Sequence, residues 1–392
     1  MRRSSSLRIV VCGYVVRGPV AGLSWHHLQY VRGLADLGHD VWFYEDSGDY
    51  AQCYDPSRDV CDANSSYGLA YAQRVFERVG MGERWGYHDQ VNGGIWRGPQ
   101  GEHLREICRS ADLMINVSGI NPLRPWLRDI PVRVLVDTDP VFTQVDILND
   151  AERRAFAEGH NAFFTFAENF GRPGCSVPDD GLHWLPTRQP VVSELWLPSP
   201  GPSDGHWSTV MVWDSYKERH WQGQTWGMKS REMVNFLDMP ARSGEPFELV
   251  LGGPTAPNDL LIENGWVLRD PMAITCDPWT YQNYLRNSKA EFSVAKHGYV
   301  ASASGWFSER SASYMALGRP VVVQDCGLAD HLPCGEGLLV FNTPDQALAA
   351  IQTVTADYAR HSAAALEIVR NYFDSKRVLT PLIDKAFATA VR

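Results

Sequence analysis

Two rhythms of apolar and polar positions run along this chain. Short apolar runs bounded by turn residues recur in its first half: LRIVVCG, DVWFYEDS, DLMINVSG at 112–119, PVRVLVDTDP at 131–140 and NAFFTFAEN at 161–169. Runs of that length, rich in β-branched residues, predict strands covered on both faces, as in a parallel sheet. Between the first two, Leu23 and then Trp25, Leu28, Val31, Leu34 and Leu37, the last five at three-residue steps, mark one side of the segment. That is one face of a helix, closed by Gly38. Strand, helix and strand make a βαβ unit.

The rhythm stops at LPTRQPVVSELWLPSPGPSDGHWS, where Pro186, Pro190, Pro198, Pro200 and Pro202 crowd together. This reads as a linker. It then restarts: STVMVW, FELVLGG, AEFSVA and RPVVVQD as strands, SREMVNFLDM and PWTYQNYLRNS as helices. TPDQALAAIQTV opens a further helix, with Thr343 as N-cap, Pro344 in the first turn and Gln346 three residues after the cap. The pattern predicts an α/β protein of two facing Rossmann-like domains with parallel sheets: 1–186, then a linker over 187–206, then 207–365. The residues from 366 to 392 read as a helical tail, with Pro381 placed to kink it. Ligands of such sheets bind at the carboxyl ends of the strands, so the cleft between the domains is the expected active site.

Composition narrows the chemistry. The chain has 392 residues, 44% apolar and 21% charged, and a net charge of -10. No Lys/Arg cluster interrupts that acidity, which argues against a nucleic-acid partner but not against a small phosphorylated ligand. The eight cysteines form no CxxC pair and no zinc spacing, so a reduced cytoplasmic protein without structural metal is expected. No apolar run of membrane-spanning length occurs. The start MRRSSSLRIVVCGYVVRG reads as a first strand rather than a signal peptide. Fourteen tryptophans are either packing or flat surfaces for sugars and bases.

Three places hold candidate chemistry. In SGWFSERSASYMALGRPVVVQD, Gly318 and Pro320 end a helix that counts back to a start near Trp306 or Ser308. Its first turn offers backbone N–H groups, the hydroxyls of Ser308 and Ser311, and the donor fork of Arg310, a set suited to a diphosphate. Gly305 would let backbone approach a ligand, and Glu309 could accept from the diol of a ribose or sugar. On this reading Arg310→Ala weakens nucleotide binding more than it changes folding. Just upstream, Lys296, His297 and Gly298 end a strand at the same sheet edge. In the first domain, His26 and His27 occupy the first turn of the helix, about 100° apart, so one of them can face the cleft as a general base. Asp137 and Asp139 end a central strand on one face, where a carboxylate could bind an acceptor hydroxyl, deprotonate it as the catalytic base, or hold a metal; Asn116 and Ser118 end another strand and offer acceptor-side hydrogen bonds. Asp46 after the second strand keeps a nicotinamide enzyme as a further reading, although Gly13, Gly18 and Gly22 do not make the dinucleotide fingerprint.

The helix–Gly–x–Pro–strand segment SERSASYMALGRPVVVQD resembles the donor-site element of GT-B glycosyltransferases, both the retaining group and spore-maturation-type relatives. Ser313 stands where the first group carries a glutamate, and Arg310 where the second carries an arginine. The words WFSERSA and VAKHGYV resemble a bacterial set of GT-B-like proteins. The resemblance implies transfer of a sugar from a nucleotide diphosphate sugar to a small-molecule or glycan acceptor, with no cofactor and no metal. It also implies that Lys217 and Arg219, in VWDSYKERHWQGQTW, approach the diphosphate, that the Gly18–Gly22 loop lies across the cleft on the acceptor side, and that the helical tail over 366–392 crosses back to the first domain. A nucleotide-sugar epimerase or a non-catalytic nucleotide-sugar binder on the same fold are the alternatives. The sequence leaves the oligomeric state open.

Overall fold

The computed structural model describes residues 6–202 and 204–390. The first five residues of the MRRSSS start, Ser203 of the linker and the last two residues of the tail lie outside that range.

The first sheet is built from β1 (Arg8–Cys12), β2 (Asp40–Asp46), β3 (Trp85–Asp89), β4 (Ile95–Arg97), β5 (Leu113–Val117), β6 (Val132–Asp137), β7 (Ala162–Thr165) and β8 (Trp184–Pro186). Its spatial order is β8-β7-β6-β5-β1-β2-β3-β4. All neighbours pair in parallel except β4, which returns antiparallel along β3 and blunts that edge. The second sheet holds β9 (Trp207–Val212), β10 (Phe247–Gly252), β11 (Trp266–Arg269), β12 (Ala290–Ser293), β13 (Val321–Gln324) and β14 (Leu338–Phe341), in the order β11-β10-β9-β12-β13-β14, parallel throughout. Apolar-run reading misses β3 and β4 because WGYHD and IWR interleave aromatic with polar residues. The single helix expected over SREMVNFLDM is broken instead. One turn ends at Met233, a 3-10 turn spans Val234–Phe236, and a short helix restarts at Met239 with Pro240 in its first turn.

Helix α1 (Ala21–Asp36) joins β1 to β2 and buries Trp25, Leu28, Val31 and Leu34. Each such aliphatic side chain contributes about 1.5–3 kcal/mol by leaving water. Further along the first domain, α2 (Phe142–Asn149) follows β6. In the second, α3 (Glu309–Ala316) is the expected helix between β12 and β13, with Ser308 as its N-cap. The chain ends in α4 (Tyr358–Ile368), a π-helical turn over Val369–Phe373, and α5 (Ser375–Ala390), which packs on α1, β6 and β7. Close approach of α5 to α1 depends on Gly33: a Cβ there would sit 2.8 Å from Leu379 Cδ1 and 2.8 Å from Ser375 Cβ. Pro381 lies inside α5, and the helix runs through it.

Tryptophan holds the joint between domains. Trp25 of α1 donates to the Pro278 carbonyl at 2.8 Å and packs on Trp196 of the linker and Trp279 of the second domain, with ring centroids 4.8 and 5.6 Å away. Gln29 Oε1 accepts from Val192 N and from Trp196 Nε1, fastening the linker to α1. The buried Arg319 donates to Ser199 and to the Arg286 carbonyl, fastening its other end to the second domain. Val191 of the linker pairs with Asp374, so the crossing tail is stitched to it: Val191 N to Phe373 O is 2.7 Å and Ser375 N to Val191 O is 2.9 Å. No described helix is long and apolar enough to cross a membrane.

Candidate active site in the interdomain cleft

The carboxyl ends of β1, β5 and β6 face α3 and the ends of β12 and β13. His26 lies on this side of α1. Its Nδ1 is 2.5 Å from Gln189 Oε1. The amide of Gln189 can be oriented only one way, because its Nε2 donates to the carbonyls of His26 and Pro190. Oε1 must therefore accept, Nδ1 carries the proton, and Nε2 presents a lone pair. That lone pair looks toward Ser118 Oγ, 3.4 Å away, which is itself 2.8 Å from Thr138 Oγ1. Ser118 reaches this place with φ 62, a left-handed conformation at the end of β5. Burial lowers the His26 pKa below its ordinary value, against the Glu309 carboxylate across the cleft, which raises it. The neutral imidazole therefore persists to lower pH than usual. If His26 is the base, the acid limb of kcat/KM should have its midpoint below 6.5, and a pH–rate profile checks this. His27 points the other way: Nδ1 lies 2.7 Å from the Leu23 carbonyl, and the ring packs under Gly13.

The aspartates of VDTDP divide. Asp137 is not available to a substrate, contrary to the expectation that it might be catalytic. Its two oxygens accept from Asp139 N, Thr143 Oγ1, Gln144 Nε2 and Thr165 Oγ1, which ties the start of α2 to β7. Burial raises its pKa. Asp139 reaches across to the second domain. Lys296 Nζ stands 2.9 and 3.1 Å from its oxygens, and the hydroxyls of Tyr216 and Tyr299 donate to it. Trp306 stacks on Tyr299 at 4.3 Å and donates Nε1 to the Thr138 carbonyl at 3.2 Å. Asn116 is also internal: its Nδ2 donates to the Asn121 carbonyl and contacts His160.

On the donor side, the cations singled out from sequence are mostly engaged. Arg310 turns under α3 rather than into the cleft. Its Nε is 2.5 Å from Glu291 Oε1, with Val210 O and Ser293 Oγ taking its other nitrogens at 2.8 and 2.6 Å. The fork predicted to hold a diphosphate is filled by the protein's own acceptors. Arg219 pairs with Asp146 of α2, and Lys217 is exposed. The segment carrying them is a hairpin, Arg219–Trp221 with Gln224–Trp226, rather than a loop. His297 Nδ1 accepts from Gly227 N, and Gly298 packs against Phe142 and Trp226. Ser308 Oγ accepts from Arg310 N, as a cap does. Ser311 Oγ is buried without a partner beside a crevice of about 10 Å³, room for one water. Gly305 serves Asn169, not a ligand: at φ 77, a Cβ would lie 3.0 Å from Asn169 N. Asn169 closes this part of the interface by donating to Ala303 O and Gly327 O. Gly305→Ala should cost about 1–3 kcal/mol, read by urea unfolding.

One cation of the cleft escapes sequence reading. Lys229 follows the hairpin, half-buried; its carbonyl accepts from Glu232 N and Met233 N, but its ammonium has no hydrogen-bond or ion-pair partner among the described residues. Burial, then the nearby charges of Arg310 and Lys296, push its pKa down to about 7, while Glu309 and Glu291 pull it up. Charge density drew attention to Lys217–His220 instead. The available signal was a lysine in the turn just before the first helix of the second domain. Glu309, in the first turn of α3, lies near enough to influence His26, Tyr14 and Lys229. Tyr14 borders a cavity of about 730 Å³ on the first-domain side, together with Arg17, Gly18, Tyr50 and Arg153. Gly22, in the first turn of α1, has open space around it. Among the described residues no group of three or more His, Cys, Asp or Glu side chains could hold a metal.

No protein-family model matches the sequence, and no curated protein does. Solved structures match over nearly the whole chain at low identity. An alpha-glucosyltransferase in complex with UDP-glucose and DNA containing an abasic site is 12% identical, with TM-score 0.56 over 98% of this chain and 100% of that one. HepE of Anabaena, in complex with UDP and glucose, is 12% identical, with TM-score 0.53 over 97% and 99%. AviGT4, a glycosyltransferase involved in avilamycin A biosynthesis, is 11% identical, with TM-score 0.52 over 98% of each chain. Likeness of this extent at so low an identity shows the fold, and this chain has the fold of the GT-B glycosyltransferases.

Proposed function

We propose that the protein transfers a sugar from a nucleoside diphosphate sugar to an acceptor hydroxyl in the interdomain cleft, without a metal. The observation that carries this reading is that Glu309 of the second domain lies near enough to act on the charge both of His26, whose Nε2 presents a lone pair, and of the Lys229 ammonium. Lys229 and Lys296 would bind the diphosphate and stabilise it as the bond from phosphate oxygen to the sugar C1 breaks. The N–H groups at the start of α3 would add to that field. Glu309 would accept from donor hydroxyls. His26 would take the proton of the acceptor hydroxyl as its oxygen bonds to C1. The acceptor would sit in the cavity beside Tyr14, whose aromatic and polar lining suits a glycan or small molecule. Although the similar alpha-glucosyltransferase binds DNA, a net charge of -10 argues against DNA as the acceptor here.

UDP-sugars are the first donors to try, since two of the similar structures hold UDP or UDP-glucose. A thermal-shift screen of UDP-, dTDP-, GDP- and ADP-sugars should show stabilisation by at least one, and the same donor should release its nucleoside diphosphate in a chelator. Stabilisation by none of them would defeat the reading. Asp139 pairs with Lys296, so it would compete with the diphosphate for that ammonium. Asp139→Asn should tighten nucleoside diphosphate binding by about 1 kcal/mol, roughly fivefold, measured by calorimetry.

A further inference from the structure

A second concave surface lies outside the cleft. A groove of about 400 Å³ opens between the β7–β8 edge of the first sheet and the crossing tail, lined among others by Phe164, Glu168, Arg188, Tyr372, Arg377 and Lys385. That volume is in the range of small-molecule sites. It is separate from the cleft: Arg188 lines the groove, while the adjacent Gln189 turns to His26.

The charge of the groove opposes that of the molecule. Arg377 and Lys385 are exposed on α5 and have no acidic partner among the described residues. With Pro381 between them, they stand at intervals of four residues and share one face of the helix. Arg188 is the third cation. Its guanidinium is 2.5 Å from Glu168 Oε2 and lies 5.8 and 5.5 Å from the ring centroids of Tyr372 and Phe373. Three cations thus face one carboxylate, in a protein of net charge -10. Arg377 and Lys385, long flexible cations with no acidic partner among the described residues, lie beside Arg188 along one concave wall, a lining that suits a multiply charged anion. The ring of Tyr372, 36% exposed, offers an apolar face to a carbon skeleton attached to that anion.

We propose that this groove binds a small phosphate ester, its phosphate held by Arg377, Lys385 and Arg188 and its carbon skeleton lying against Tyr372. The test uses the full chain with glucose 6-phosphate and inorganic phosphate as probes. Calorimetry on wild type and on the double variant Arg377→Gln, Lys385→Gln should show at least tenfold weaker binding in the variant. Both positions are exposed, so an unchanged melting temperature checks that the variant folds. In parallel, glucose 6-phosphate should slow acylation of Lys385 by an amine-directed reagent, read by mass spectrometry. Sedimentation with phosphatidic acid vesicles distinguishes a lipid headgroup from a soluble ester as the phosphate source, and loss in the variant supports the site from either. Equal affinity in wild type and variant would place the phosphate elsewhere and overturn the proposal. So would the absence of both binding and Lys385 protection at millimolar probe.

Discussion

Arg310→Ala is expected to lower the unfolding free energy by about 3–5 kcal/mol, because it strands a buried carboxylate. Glu291 is wholly buried on β12, and one of its oxygens already lacks a partner. Its other oxygen depends on Arg310. Burial alone would lower the arginine's pKa; the charge and hydrogen bond of Glu291, with Tyr281 and Glu309, together outweigh it and keep the guanidinium charged. Removing the cation leaves a charge that water cannot reach. The order of effects is therefore the reverse of the sequence-based expectation: folding suffers first, and ligand affinity changes only through it. Urea unfolding of Arg310→Ala, and of the double variant Arg310→Met, Glu291→Met, measures this. The double variant should recover much of the loss, since an apolar pair of similar volume strands no charge. A single variant as stable as wild type would show that the pair carries little.

Lys229→Ala is expected to weaken nucleoside diphosphate binding by about 2–5 kcal/mol, at least roughly thirtyfold. The same lysine gives that binding a distinctive pH dependence. Its pKa is lowered to about 7 in the ligand-free fold. Above that pH the side chain is largely neutral, and an arriving diphosphate must draw a proton onto it. Affinity should therefore fall as pH rises from about 7 toward the ordinary lysine range, with proton uptake on binding seen by calorimetry in buffers of different ionisation heat. In Lys229→Met both signatures should vanish. The sign for stability is opposite. Between the lowered pKa and the ordinary one the unfolded chain holds the extra proton, so the ligand-free protein gains stability as pH rises through that window. Lys229→Met should accordingly melt no lower than wild type. A variant with wild-type affinity and an unchanged pH slope would remove Lys229 from the donor site.

Periodicity made the scaffold legible, because parallel strands covered on both faces must be apolar throughout and a helix on them must repeat at three and four. The first βαβ unit follows from those constraints and the linker from its crowded prolines, whereas the crossing of the tail rests on the resemblance of SERSASYMALGRPVVVQD. Direction within the cleft was harder to read. His26 and His27 are adjacent and chemically alike, and only Gln189, far away in sequence, decides which lone pair faces the cleft. Arg310 and Lys296 have the residue types a diphosphate needs, but their partners Glu291 and Asp139 are distant or unremarkable in the sequence. Lys229 carries the opposite lesson. Its importance lies in what it does not touch, and an absent partner leaves no trace in a string of residues.

The recrossing tail also bears on how the protein is made. Helix α5 is the last described element to leave the ribosome, yet Leu379, Leu382 and Ile383 cover apolar surface of the first domain, which is synthesised first. The amino-terminal domain therefore emerges with an uncovered seam along α1 and must wait for the whole second domain before it is sealed. Folding during synthesis cannot finish in order from one end to the other. Stop codons placed before residue 374 should yield chains that bind holdase chaperones through that seam, even though every strand of both sheets is already present.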